Sequence, residues 1–150
     1  VTVDHNFGHC AIRVINPTPG IDITVELIPR FSVWQPPYGS KHVVWSVGAN
    51  DAHATAYSAD GWTEIGKPDD ECDDDFDRAI LNSALQEQSL VAGTAYRPVG
   101  QDNSNRFVYD IIMRAGGTIP GAPGNKFPLG SPGLCGSSGL LNGSGTGCRE

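Results

Sequence analysis

The segment Asp102-Asn103-Ser104-Asn105-Arg106-Phe107-Val108 holds the chain's clearest opportunity for chemistry. Phe107, Val108, Ile111, Ile112 and Ala115 recur at helical spacing, and Gly116-Gly117 closes the run. Asp102 or Asn103 is a natural N-cap, which puts Ser104 in the first turn. A hydroxyl there meets unpaired backbone N–H groups and the positive end of the helix dipole. Such a place suits a nucleophile, with an oxyanion developing beside it. It equally suits a capping serine, which is common. A serine nucleophile needs a base, and the base needs an orienting group. His9 supplies an imidazole that titrates near neutrality. Glu26 is a carboxylate suited to hold its tautomer, as the third member of a triad does. Asn103 and Asn105 flank Ser104 as candidate positioning or oxyanion-holding amides. His5, His42 and His53 fall in other segments and are weaker candidates for the base.

The elements around these residues follow from periodicity. His9 to Ile15 reads as a strand, with Cys10, Ile12 and Val14 alternating with His9, Ala11 and Arg13. Ile21 to Ile28 reads as a second strand, Ile21, Ile23, Val25 and Leu27 on one face and Asp22, Thr24 and Glu26 on the other. The intervening Asn16-Pro17-Thr18-Pro19-Gly20 makes them an antiparallel hairpin. With residues 16 to 19 as the loop, Ile15 pairs with Gly20, Arg13 with Asp22, Ala11 with Thr24 and His9 with Glu26. Polar residues then meet polar ones, and a slip of one residue destroys the match.

Further along, Phe31 to Trp34 is a short extended piece within a loop, Lys41 to Val47 a third strand and Ala52 to Ser58 a weak fourth. Asp60-Gly61 marks a turn. The acidic run Asp69 to Asp77 lacks the spaced pattern of a calcium loop. It reads instead as the dipole-favoured start of a helix over Asp74 to Val91, with Phe76, Ala79, Ile80, Ala84 and Val91 on its apolar side. Eleven of the 19 glycines and four of the 11 prolines lie from Gly116 onward, where no helical or strand period survives. That divides the chain into a domain over 1–117 and a Gly/Pro-rich tail over 118–150 that wraps it.

At 150 residues the chain is long enough for one domain with a real core. A formal charge of −7 without a basic patch argues against nucleic acid, and no apolar run approaches membrane-spanning length. Cys10, Cys72, Cys135 and Cys148 form no CxxC pair and lack zinc-site spacing, so neither a metal nor another cofactor is expected. Their even number in a small Gly/Pro-rich chain suggests up to two disulfides and a secreted or periplasmic setting. Cys135 with Cys148 would close the tail, leaving Cys10 with Cys72; buried free thiols are the alternative. A start at Val1 fits a processed protein or an excised domain. Asn142-Gly143-Ser144 matches a glycosylation sequon.

Gly8-His9-Cys10-Ala11-Ile12, followed late by Asn103-Ser104-Asn105-Arg106-Phe107-Val108, resembles the circularly permuted papain-like fold, the NlpC/P60-like and lecithin:retinol acyltransferase-like group. In that group a His on the first strand precedes a hairpin, and the nucleophile opens a helix in a motif Asn-Cys-x-x-Phe-Val. The resemblance covers roughly His9 to Gly117. It implies an α+β domain, an antiparallel sheet packed against helices. It also implies a His9 base and a nucleophile at position 104, acting on amide, thioester or ester bonds through an acyl-enzyme. Ser104 departs from the usual Cys, and a serine needs its base at the moment of attack where a thiolate does not. Asn105 and Arg106 depart from the acidic-His pair of the acyltransferase branch, which counts against membrane lipids.

Three functions follow as expectations. One is a secreted hydrolase acting on peptide or peptidoglycan amide bonds. A second is an inactive module on the same scaffold, binding carbohydrate or peptide through Trp34, Tyr38, Trp45 and Trp62. A third is a lipid esterase or acyltransferase, for which no amphipathic basic helix is present.

Overall fold

A computed structural model of the chain describes residues 11–16, 20–32, 35–47, 62–97, 103–118 and 140–144. Three strands, β1 (Ala11–Asn16), β2 (Ile21–Pro29) and β3 (Lys41–Val47), form an antiparallel meander. Two helices follow the short strand β4 (Trp62–Glu64): α1 (Asp73–Val91) and α2 (Ser104–Arg114). A fifth strand, β5 (Leu140–Ser144), inserts between β1 and β4, giving the order β3-β2-β1-β5-β4. The architecture is α+β. The sheet is mixed, because β5 runs parallel to both of its neighbours.

The hairpin register differs from the sequence expectation by two residues. Asn16 pairs with Ile21, Arg13 with Thr24 and Ala11 with Glu26, so Glu26 does not stand opposite His9. The cause lies in Gly20. Its φ of +90° is open to glycine and costly for other residues, and its N–H closes the turn onto the Asn16 carbonyl at 3.0 Å. Gly20 therefore belongs to the turn. A two-residue shift keeps every side chain on its expected face, so alternation is satisfied equally by both registers. Arg13 still holds Asp22, now as a diagonal neighbour, through two hydrogen bonds of 2.8 and 2.7 Å. The pair keeps the Asp22 carboxyl below, and the Arg13 guanidinium above, its ordinary pKa.

Both helices cover one face of the sheet. Ile12 and Val14 of β1 and Val25 and Leu27 of β2 pack with Phe76, Ile80 and Ala84 of α1 and with Phe107, Val108, Ile111 and Ile112 of α2. Burying each large apolar side chain stabilises the fold by about 1.5–3 kcal/mol. Polar ties lock the helices together. Ser83 Oγ donates to the Ile111 carbonyl at 2.7 Å, and Arg114 donates to Glu87 Oε2 at 2.6 Å and to the Ser83 carbonyl at 3.2 Å. Gly117 comes so close to Phe76 and Ile112 that a Cβ would stand 2.9 Å from the Phe76 ring.

The helix that follows the acidic run begins at Asp73, with Asp73, Asp74 and Asp75 in its first turn. Phe31 and Ser32 lie outside any strand, and the expected strand over Ala52 to Ser58 and the turn at Asp60-Gly61 fall outside the described residues. Part of the tail is β5, where no strand period was visible, and the Asn142-Gly143-Ser144 sequon falls within that strand. Cys72, the N-cap of α1, is disulfide-bonded, while Cys10, Cys135 and Cys148 lie outside the described residues.

Candidate active site

Helix α2 begins as its sequence dictates. Asn103 has extended dihedrals and its side-chain oxygen accepts from the Arg106 N–H at 3.1 Å, while its carbonyl accepts from the Phe107 N–H. Ser104 is then the first helical residue. It shares the stripe of Phe107, Val108 and Ile111, faces the core and is 3% exposed. The Asn103 side-chain oxygen is thus engaged as the cap. Asn105 is buried beside it.

The Ser104 hydroxyl and backbone N–H both hydrogen-bond to the phenol of Tyr96. Burial raises the Tyr96 pKa, and the two bonds from Ser104 only partly offset that, so the phenol is neutral at physiological pH. Tyr96 is held by main-chain bonds: its N–H donates to the Gly39 carbonyl at 2.9 Å, and the Lys41 N–H donates to the Thr94 carbonyl at 2.8 Å. Tyr96 was not among the candidate residues the sequence marked. The available signal was a large amphipathic side chain between two helices, which needs a polar partner when buried.

These contacts fix where the site lies. Residues 94–96 sit beside the start of β3, whose Lys41 pairs with Pro29 at the end of β2. Glu26, near that end, pairs with Ala11, where β1 begins. Ser104 therefore lies at the end of the domain where the chain enters β1. Its hydroxyl is on the helix-bearing side of the sheet.

Glu26 is fully buried on the other face, with Ala11, Thr24 and Ser46, because it alternates with the core residues Val25 and Leu27. The structure thus brings Tyr96 to Ser104 and separates Glu26 from it by the sheet. His9, like His5 and His53, lies outside the described residues, and His42 is exposed on the Glu26 face of β3. Tyr38 and Trp45 pack against the core, Trp45 donating to Gln88 Oε1 at 2.9 Å, which weakens an aromatic binding groove. The side chains of Trp34 and Trp62 are outside the described residues.

The first turn of α2 carries Arg106, which donates to Asp110 Oδ2 at 2.7 Å, and no acidic residue, so no carboxylate in that turn compensates the positive end of the helix dipole. Among the described residues no three His, Cys, Asp or Glu side chains converge to hold a metal ion. No helix among them is long and apolar enough to cross a membrane. No family model, curated protein or solved structure matches the chain.

Proposed function

We propose that the domain is a secreted or periplasmic hydrolase that cleaves amide bonds in peptide or peptidoglycan by acyl transfer through Ser104. One observation carries this reading: Ser104 is the first residue of a helix whose N-terminal turn is free of acidic side chains. In the proposed reaction His9, two residues before Ala11, takes the hydroxyl proton as Ser104 Oγ attacks the scissile carbonyl. The oxyanion draws on the positive end of α2, with the neutral Tyr96 phenol beside Ser104. His9 then protonates the departing amine, and water releases the acyl group by the same steps in reverse. The helix-opening serine also agrees with the permuted papain-like resemblance. The disulfide at Cys72 fits an oxidising compartment. Glu26, across the sheet from Ser104, has no direct part in this scheme.

The chemistry is tested by intact mass after exposure to a fluorophosphonate serine probe. A single adduct on the wild type, lost in both Ser104→Ala and His9→Ala while both variants remain folded, is the expected result. An adduct that persists in Ser104→Ala would refute the assignment.

The second reading, an inactive module binding peptide or carbohydrate on the same scaffold, is favoured by the burial of Ser104 and its engagement with Tyr96. It expects no adduct, together with ligand affinity unchanged by Ser104→Ala. A lipid esterase or acyltransferase would share the Ser104 chemistry and differ in labelling acyl-ester substrates.

A further inference from the structure

Cys72 is disulfide-bonded, and the strand register restricts which cysteine it can meet. β1 and β5 run parallel, Ile12 beside Leu141 and Ile15 beside Ser144, so both strands end on the side of Asn16. Helix α1 starts on that side. The Asn16 amide donates to Asp74 at 2.5 Å and to Asp77 at 3.1 Å. From there α1 runs back toward the opposite end, because Thr94, just past its last turn, accepts from Lys41 at the start of β3. Cys72, the residue before α1, therefore stands at or beyond the Asn16 end of the sheet.

The described strand ends nearest in sequence to the other three cysteines lie at opposite ends of the sheet. Cys10 immediately precedes Ala11, and Ala11 is five strand residues from Asn16, about 17 Å at roughly 3.3 Å per residue. A disulfide holds its Cα atoms only about 4.4–6.8 Å apart. The chain enters β5 at Leu140, at the Ala11 end, so Cys135, five residues earlier in sequence, would have to come back along the length of β5 to reach Cys72. The chain leaves β5 at Ser144, at the Asn16 end, and the four residues from there to Cys148 reach up to about 14 Å.

We propose that Cys72 is joined to Cys148, which leaves Cys10 and Cys135 as the partners at the opposite end. This exchanges both of the pairings expected from sequence spacing. The bond clasps β5 between its neighbours by tying the chain just beyond it to the start of α1. Its formation removes two protons and two electrons from the two thiols, and a protein disulfide of the oxidising compartment accepts them by thiol–disulfide exchange.

The test is a non-reducing peptide map of the intact chain. Trypsin releases 1–13 with Cys10, 42–78 with Cys72 and 127–149 with Cys135 and Cys148. The proposal expects all three peptides in one covalent species. A second cut by chymotrypsin after Leu140 or Leu141 should then leave Cys72 joined to the fragment carrying Cys148. A species containing only 1–13 and 42–78 would overturn the proposal, as would Cys72 joined to Cys135. Cys72→Ser and Cys148→Ser should each lower Tm by about 5–15 °C, and the double variant should fall no further. Additive losses would likewise overturn it.

Discussion

The two helices of this domain begin in opposite ways. α1 opens at the end of the sheet where β1 stops, and it crowds carboxylates: Asp73, Asp74 and Asp75 stand in its first turn, with Asp77 buried behind them. Its N-cap Cys72 makes no side-chain capping bond. α2 opens at the end where β1 begins, with an amide cap, a buried serine and a neutral phenol. The dipole of α1 is answered by its own sequence, whereas that of α2 is left to act on something else. The chain places carboxylates at one helix start and withholds them from the first turn of the other.

Asp77→Asn at the α1 end should have the largest effect on stability. Burial, together with Asp73 and Asp74, raises the Asp77 pKa from 3.8 to about 6 against the opposing Asn16 hydrogen bond. The folded chain thus binds this proton more tightly than the unfolded one. The associated stability is complete below pH 3.8 and is lost as pH rises through 6. The amide variant, which keeps an oxygen to accept from Asn16, should gain about 2–3 kcal/mol near pH 8 and nothing below about pH 4. Urea unfolding across that range checks it, and a pH-independent difference would break the contrast between the helix starts.

Tyr96→Phe at the α2 end should cost about 1–3 kcal/mol, because the buried polar contact of the phenol with Ser104 is lost. Its unfolding curve should be shifted equally at pH 5 and pH 8, since the Tyr96 phenol is neutral at both. Asn103→Ala should cost about 1 kcal/mol through loss of the cap to Arg106, read as a lower urea midpoint with unchanged slope. Adding an acid to the α2 start instead should weaken fluorophosphonate labelling: Arg106→Glu is expected to slow it several-fold.

Much of α2 was legible because three local signals agree: the apolar stripe from Phe107 to Ile112, an Asn cap and the glycine stop. Gly116, at φ +81°, ends the run as read. The β1–β2 register was not legible, since a period of two cannot separate alignments two residues apart, and only the conformation of Gly20 decides between them. That ambiguity is also why Glu26 was set opposite His9. β5 escaped notice because Leu140-Leu141-Asn142-Gly143-Ser144 has no alternation to read. It becomes a strand through the backbone edges that β1 and β4 offer, which any sequence can use. The pairing of Tyr96 with Ser104 depends on the loop bonds from Gly39 and Thr94, and these are long-range facts.

The insertion of β5 also sets an order of assembly. The meander of β1, β2 and β3 is local and can form early, yet one edge of β1 then waits for a segment made more than a hundred residues later. Until that segment arrives, β4 lacks the strand that joins it to the sheet, and β1 presents unpaired amides to any neighbouring chain. The vulnerable moment for this domain therefore falls during its synthesis, when a half-built sheet is open to strand exchange with another copy of itself.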